Sequence, residues 1–221
     1  MTLFPYTPEP GWCITDHAFD ACAVERNGSK FMIGNGAIGM RGTLEEFGRE
    51  QRVACTLSGL YDQVPGCWRE PVNAPNGFLA RVWCDGRLLS PLELAPCSHR
   101  QALDLRTAVH RRETCYVLAD GNEVRIEAGR FLSLVEVDTG VAWLRVSASR
   151  DCRLVIETGI DGEVWDLNGP HLGRWSSRSD EDLLELSAAT REKGVPVAVA
   201  AALAGDFGRA LVQSEPVVAP A

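Results

Sequence analysis

Apolar and polar residues alternate with a period of two over much of this chain. Val124, Ile126 and Ala128 are separated by charged residues, and Leu144, Val146 and Ala148 by a charged and a polar one. That is the pattern of strands with one buried face. Leu154-Val155-Ile156 is a short apolar run bounded by Asp151 and Gly159. Turn-forming residues recur along the chain at Asn27-Gly28, Pro65-Gly66, Pro75-Asn76-Gly77, Asp85-Gly86, Asp120-Gly121-Asn122, Thr139-Gly140 and Asp161-Gly162. The rhythm predicts an all-β fold, a large two-sheet antiparallel β-sandwich joined by hairpins, with helix limited to short turns. Asp180 to Thr190, the best helical candidate, reads better as a strand from Leu183 to Leu186, followed by another from Val195 to Leu203.

One segment breaks the alternation. Gly34, Gly36 and Gly39 have the G-x-G-x-x-G spacing of a pyrophosphate-binding turn. Dinucleotide binding also needs a helix running on from the last glycine and a return strand ending in an acid roughly 20 residues later. Gly42, Thr43 and Gly48 interrupt any such helix, and the strand-like Arg52 to Leu57 carries no terminal acid. Asn35-Gly36 after an apolar run instead predicts a hairpin turn with positive φ at both residues. No NAD, FAD or other cofactor is expected there.

The chain of 221 residues, 45% apolar, fits one large β domain. Residues 1–204 form the predicted sandwich. Residues 205–221, with Ala210-Leu211-Val212 and then a proline-containing stretch, read as a last strand and a domain edge or the start of a linker. A net charge of −8 excludes a nucleic-acid surface, since Arg111-Arg112 is too short for a basic face. The eight cysteines are scattered with no C-x-x-C pair, so neither a zinc site nor a redox motif is indicated. Met1 to Pro8 lacks the basic and apolar regions of a signal peptide, and no transmembrane run is present. Free thiols in a reducing cytoplasm follow as the expectation.

Candidate chemistry is sparse. Asp161 and Glu163 are two apart, which on a strand puts both on one face, the wrong geometry for opposed acid and base. Asp161-Gly162 reads instead as a hairpin turn. His17, His99, His110 and His171 have no metal or triad spacing. Among the tryptophans, Trp68 and Trp165 sit at predicted loops and are the candidates for sugar contact, with Trp175 a further one. Trp83 and Trp143 lie within alternating strands and read as core. Arg41, Glu45 and Glu46 read as ion-paired at an interface or as solvated.

Phe31 to Gly42 followed by Leu44-Glu45-Glu46 resembles the opening of glycoside hydrolase family 65, the maltose, trehalose and kojibiose phosphorylases and their relatives. Other blocks extend the resemblance in order along nearly the whole chain: Trp12-x-Ile14 and Phe19-Asp20, Leu60-Tyr61, Val72 to Asn76, Asp85 to Leu88, Ala102 to Arg106, the Arg112 segment, Arg130 to Leu134 and Gly159 to Val164. Asp16, Ala37 and Ala74 depart from the family's usual residues. The resemblance implies a galactose-mutarotase-like super-sandwich preceding a catalytic helical barrel, which this chain does not contain. In that barrel a glutamate acid assists phosphate or water in attacking an α-glucosidic disaccharide with inversion. Inorganic phosphate is then a co-substrate of the parent enzyme, the barrel and a second subunit are partners, and no catalytic residue lies in this chain. Arg41, Glu45, Glu46, Tyr61, Asp62, Asn73 and Asn76 are the implied interface or pocket-lining residues. A free-standing carbohydrate-binding module and an aldose-epimerase-like enzyme remain as alternatives.

Overall fold

A computed structural model describes residues 11–180 and 183–205. Its strands pair as four ladders, antiparallel throughout. The longest ladder runs in the order β1 (Cys13–Asp16), β8 (Ser98–Asp104), β9 (Val109–Val117), β10 (Glu123–Leu132), β11 (Gly140–Ala148). A second contains β2 (Ile33–Gly34), β3 (Ile38–Met40), β4 (Cys55–Asp62) and β5 (Glu70–Ala74). In a third, β6 (Asn76–Cys84) lies between β12 (Leu154–Asp161) and β7 (Arg87–Leu88). The fourth is β13 (Leu172–Asp180), β14 (Leu183–Thr190) and β15 (Pro196–Ala202). Among the described residues helix is confined to α1 (Val24–Lys30) and two single turns of 3-10 helix. The fold is an all-β sandwich.

The alternating residues supply the core. Val124 and Ile126 of β10 and Tyr116 of β9 pack against Val82 and Cys84 of β6, closing one ladder over another. Leu60 and Val72 pack likewise on Leu172, Ala188 and Val197. A third cluster joins Ile33 and Met40 of the glycine hairpin to Leu103 and Leu132. Each such buried aliphatic side chain contributes about 1.5–3 kcal/mol relative to exposure.

Gly39 lies inside β3, with no helix starting there, as the hairpin reading expects. Several other local expectations are corrected. At the hairpin, Gly36 has φ +91° but Asn35 does not take positive φ. The Asn35 side chain does the turn's work instead, its Oδ1 accepting the amides of Ala37 and Ile38 at 3.0 and 2.8 Å. Asn27-Gly28 is not a turn but part of α1, where Gly28 lies against the Arg41 guanidinium. Pro75-Asn76-Gly77 is a corner rather than a hairpin, because β5 and β6 belong to different ladders. Asp161 does cap a turn, accepting from the Glu163 amide at 2.8 Å, yet β12 and β13 do not pair. Asp85-Gly86 behaves as expected, with φ +48° and +81° between β6 and β7. Trp83 and Trp143 are half-buried rather than sealed in the core. The expectations for Met1 to Pro8 and for Ala210 to Ala221 lie outside the described residues.

Candidate functional site

The segment after the glycine hairpin crosses the face of β8, β9 and β10 and is fixed there by buried polar groups. It can approach so closely because Gly42 has no side chain; a Cβ there would overlap Phe31. Gln101 of β8 donates to the Gly42 carbonyl at 2.6 Å and to His110 Nε2 at 2.8 Å. Burial, reinforced by Arg130 and Arg112, pushes His110 well below the usual histidine range, so its ring is neutral and accepts. Arg130 donates to the carbonyls of Thr43 and, at 3.1 Å, Arg41. Arg112 lies 3.1 Å from Glu45 and 2.9 Å from Glu46. Two carboxylates and two guanidiniums thus neutralise one another inside the sandwich. Burial raises the Glu46 carboxyl above its ordinary range even against the pull of Arg112. Such a cluster gains little over an apolar replacement but penalises loss of any one member.

A second cluster lies at the end of the β4–β5 hairpin. The register places Asp62 opposite Glu70, a like-charge pair that is unfavourable alone. The buried ring of His171 resolves it, with Nδ1 3.1 Å from Asp62 Oδ2 and Nε2 2.7 Å from Glu70 Oε1. Burial opposes the imidazolium, but the hydrogen bonds to Glu70 and Asp62 raise His171 above its ordinary value. Burial likewise opposes the Glu70 carboxylate, and the donors around it hold it below its usual range. Those donors include the amides of Leu167 and Asn168 at 3.1 and 3.0 Å and Asn168 Nδ2 at 2.6 Å. Asp62 also accepts from the Glu192 amide at 3.0 Å, and Asp166 accepts from the His171 amide at 3.2 Å. The clamp therefore joins the hairpin, the connection from β12 to β13 and the turn from β14 to β15. Both ring nitrogens are engaged and the ring is sealed, so His171 has no lone pair for a substrate.

The residues singled out from the sequence divide between these two clusters. Glu45 and Glu46 are buried in the first instead of lining a surface, and Arg41, half-buried, donates to the Glu25 carbonyl at 2.6 Å. Asn76 is buried, its Oδ1 accepting from the Phe78 amide at 3.0 Å. Asp62 is sealed in the second cluster, and buried Asn73 donates to the Trp165 carbonyl beside it. Trp165 is half-buried, its indole N–H bonded to the Val53 carbonyl at 2.8 Å and its ring 5.3 Å from the Arg52 guanidinium. Trp175 is half-buried against Leu60 and Val72. Trp68 and Tyr61 alone among these are open, at 64% and 48% exposure on the same hairpin. His171, Glu70, Arg112 and Arg130 carry the clusters and were not among the candidates. Among the described residues no group of three or more His, Cys, Asp or Glu side chains is placed to hold a metal, and no helix is long and apolar enough to cross a membrane.

The profile of "Glycosyl hydrolase family 65, N-terminal domain" matches residues 14–218. Nigerose phosphorylase of Lachnoclostridium phytofermentans is 39% identical over 160 residues, covering 72% of this chain and 21% of the relative. The 1,2-alpha-glucosylglycerol phosphorylase of Bacillus selenitireducens is 33% identical over 166 residues, 75% of this chain and 22% of the relative. The chain therefore spans about a fifth of the length of these curated relatives. A solved structure of a human-microbiome protein, provisionally named a kojibiose phosphorylase, superposes with a TM-score of 0.73 over 87% of this chain and 30% of that one, at 15% identity, a likeness of fold. This chain belongs to glycosyl hydrolase family 65, as its N-terminal domain.

Proposed function

We propose that the chain is the non-catalytic β-sandwich of a family 65 phosphorylase or hydrolase acting on α-glucosidic disaccharides. In the complete gene product it shapes and covers a catalytic helical barrel and supports a homodimer in the cytoplasm. Phosphate, if the enzyme is a phosphorylase, is a co-substrate bound by the barrel. The observation that carries this reading is the coverage: most of this chain matches a fifth of relatives that are named as phosphorylases. The sealed His171 adds weight, because an aldose-epimerase-like site would need a histidine and a carboxylate facing a cleft. The complete gene product, given maltose, trehalose, kojibiose or nigerose with phosphate, should release β-glucose 1-phosphate, seen by phosphorus NMR. Release of the α anomer, or of no sugar phosphate or glucose from any α-glucoside, would overturn the reading.

One observation favours a direct role in sugar contact. Trp68 and Tyr61 present exposed rings from one hairpin, as an aromatic platform requires. Titration with these disaccharides should then quench tryptophan fluorescence in the wild type and leave Trp68→Ala unchanged.

A further inference from the structure

The eight cysteines are free thiols, and four of them meet in two pairs, Cys84 with Cys152 and Cys97 with Cys115. The first pair lies in the apolar cluster of Tyr116, Val124 and Ile126, with Cys84 buried and Cys152 half-buried. The second has one member open to solvent. Cys97 is exposed at the bend before β8, whereas Cys115 of β9 is 1% exposed.

The ladder brings this second pair together. Ser98 is opposite Cys115, and the preceding residue bonds to it as well, the Cys97 amide donating to the Cys115 carbonyl at 2.8 Å. Two residues thus face one, the arrangement of a β-bulge. The Cys97 side chain turns the same way, with Sγ 3.3 Å from the Cys115 carbonyl oxygen and in a hydrogen bond with the Cys115 thiol. Residues bonded across a ladder lie about 5.5 Å apart between Cα atoms, within the roughly 4.4–6.8 Å that a disulfide spans. On its other side the Cys115 thiol donates to Glu123 Oε1 at 3.1 Å. Burial, with the bonds to Glu123 and Cys97, pushes this thiol up to about 12, so it holds its proton at neutral pH. Sulfur attacks as the thiolate, and Cys115 therefore needs a proton acceptor when it reacts. Glu123 is placed to be one, and its side chain is 52% exposed, so the proton can pass on to water.

An exposed thiol beside a buried one suits an oxidation site that carries its own resolving partner. We propose that Cys97 and Cys115 form such a site for hydroperoxides, with Glu123 as the proton acceptor that lets it close. Cys97, as its thiolate, attacks a peroxide oxygen and the O–O bond breaks. Cys97 becomes a sulfenic acid, and the leaving oxygen takes up the proton the thiol gave and departs as water or an alcohol. Cys115 then gives its proton to Glu123 as its sulfur attacks the Cys97 sulfur. The S–O bond breaks, the departing hydroxide takes up that proton as water, and a disulfide joins the bend before β8 to β9. The two thiols lose two electrons and the peroxide gains them. A dithiol restores the reduced pair.

Treatment of the 221-residue chain with hydrogen peroxide, then alkylation of the remaining thiols and non-reducing peptide mapping, tests the site. The tryptic peptides 88–100 and 113–125 should be recovered joined, ahead of any link between 82–87 and 151–153, and dithiothreitol should separate them. Cys115→Ser should stop the reaction at the Cys97 sulfenic acid, trapped by dimedone. Glu123→Gln should lengthen the life of that sulfenic acid by about tenfold or more without slowing its formation. Because Glu123 is exposed, this second variant is informative even where Cys115→Ser does not fold. Recovery of peptide 88–100 unlinked, its appearance in a link between two chains, or a first disulfide between Cys84 and Cys152 would overturn the site. Closure as fast in Glu123→Gln as in the wild type would overturn the role of Glu123.

Discussion

His171 is the residue on which the hairpin end depends, and its two carboxylate partners set the sign of its pH response. Its folded value is raised, so its stabilisation is fully present below the ordinary histidine value of about 6.5 and is lost as pH rises through the folded value. Glu70 is held low, so its contribution is present above the ordinary carboxylate value of about 4.3 and is lost as pH falls through its folded value. Urea unfolding should therefore show greatest stability between these limits, and His171→Gln should remove the alkaline decline while costing about 3–5 kcal/mol near neutrality. An unchanged alkaline limb would show that the ring is neutral in the fold. Arg112→Ala should be similarly costly, about 3–5 kcal/mol, because it strands Glu45 and Glu46 inside the sandwich. Neither cluster was legible as a cluster. The histidines lacked any spacing, and the acids appeared as surface charge, because the pairing partners come from strands distant in sequence. One signal was present in principle: the Pro65-Gly66 turn puts Asp62 opposite Glu70, and two facing acids call for a cation.

At the scale of elements, the alternating runs carried most of the information. Val124 to Ala128, Leu144 to Ala148 and Leu154 to Ile156 fall within β10, β11 and β12, and Leu183 to Leu186 within β14. Period-two burial is a local property, so a local pattern reveals it. The failures were at connections, where distant contacts decide. Asn35 holds the glycine hairpin by its side chain and also donates to the carbonyls of Ser133 and Val137 at 2.6 and 2.8 Å, a tie no local rule anticipates. Asn35→Ala should leave the fold intact but raise amide exchange in residues 133–139. Protection there unchanged from the wild type would refute the tie. Gly42→Ala should cost about 1–3 kcal/mol through overpacking against Phe31, read as a lowered urea midpoint with an unchanged slope. A midpoint equal to wild type would mean that the segment can lift from the sheet without penalty.

At the scale of the molecule, the ordered blocks from Trp12 to Val164 pointed to the family before any geometry was available, and the profile over residues 14–218 establishes it. Among the described residues four ladders close over clusters of apolar residues, and the two polar constellations are sealed and mutually satisfied by charge. Under the proposed function, a sandwich of this kind serves as a scaffold and the chemistry belongs to another part of the enzyme. The direct test is an assay of the purified 221-residue chain, folded by circular dichroism, with maltose, trehalose, kojibiose and nigerose in the presence of phosphate. Release of glucose 1-phosphate should not exceed the rate without protein. Turnover by this chain that a single substitution within it abolishes would contradict the division of labour and place the catalytic site in the sandwich itself.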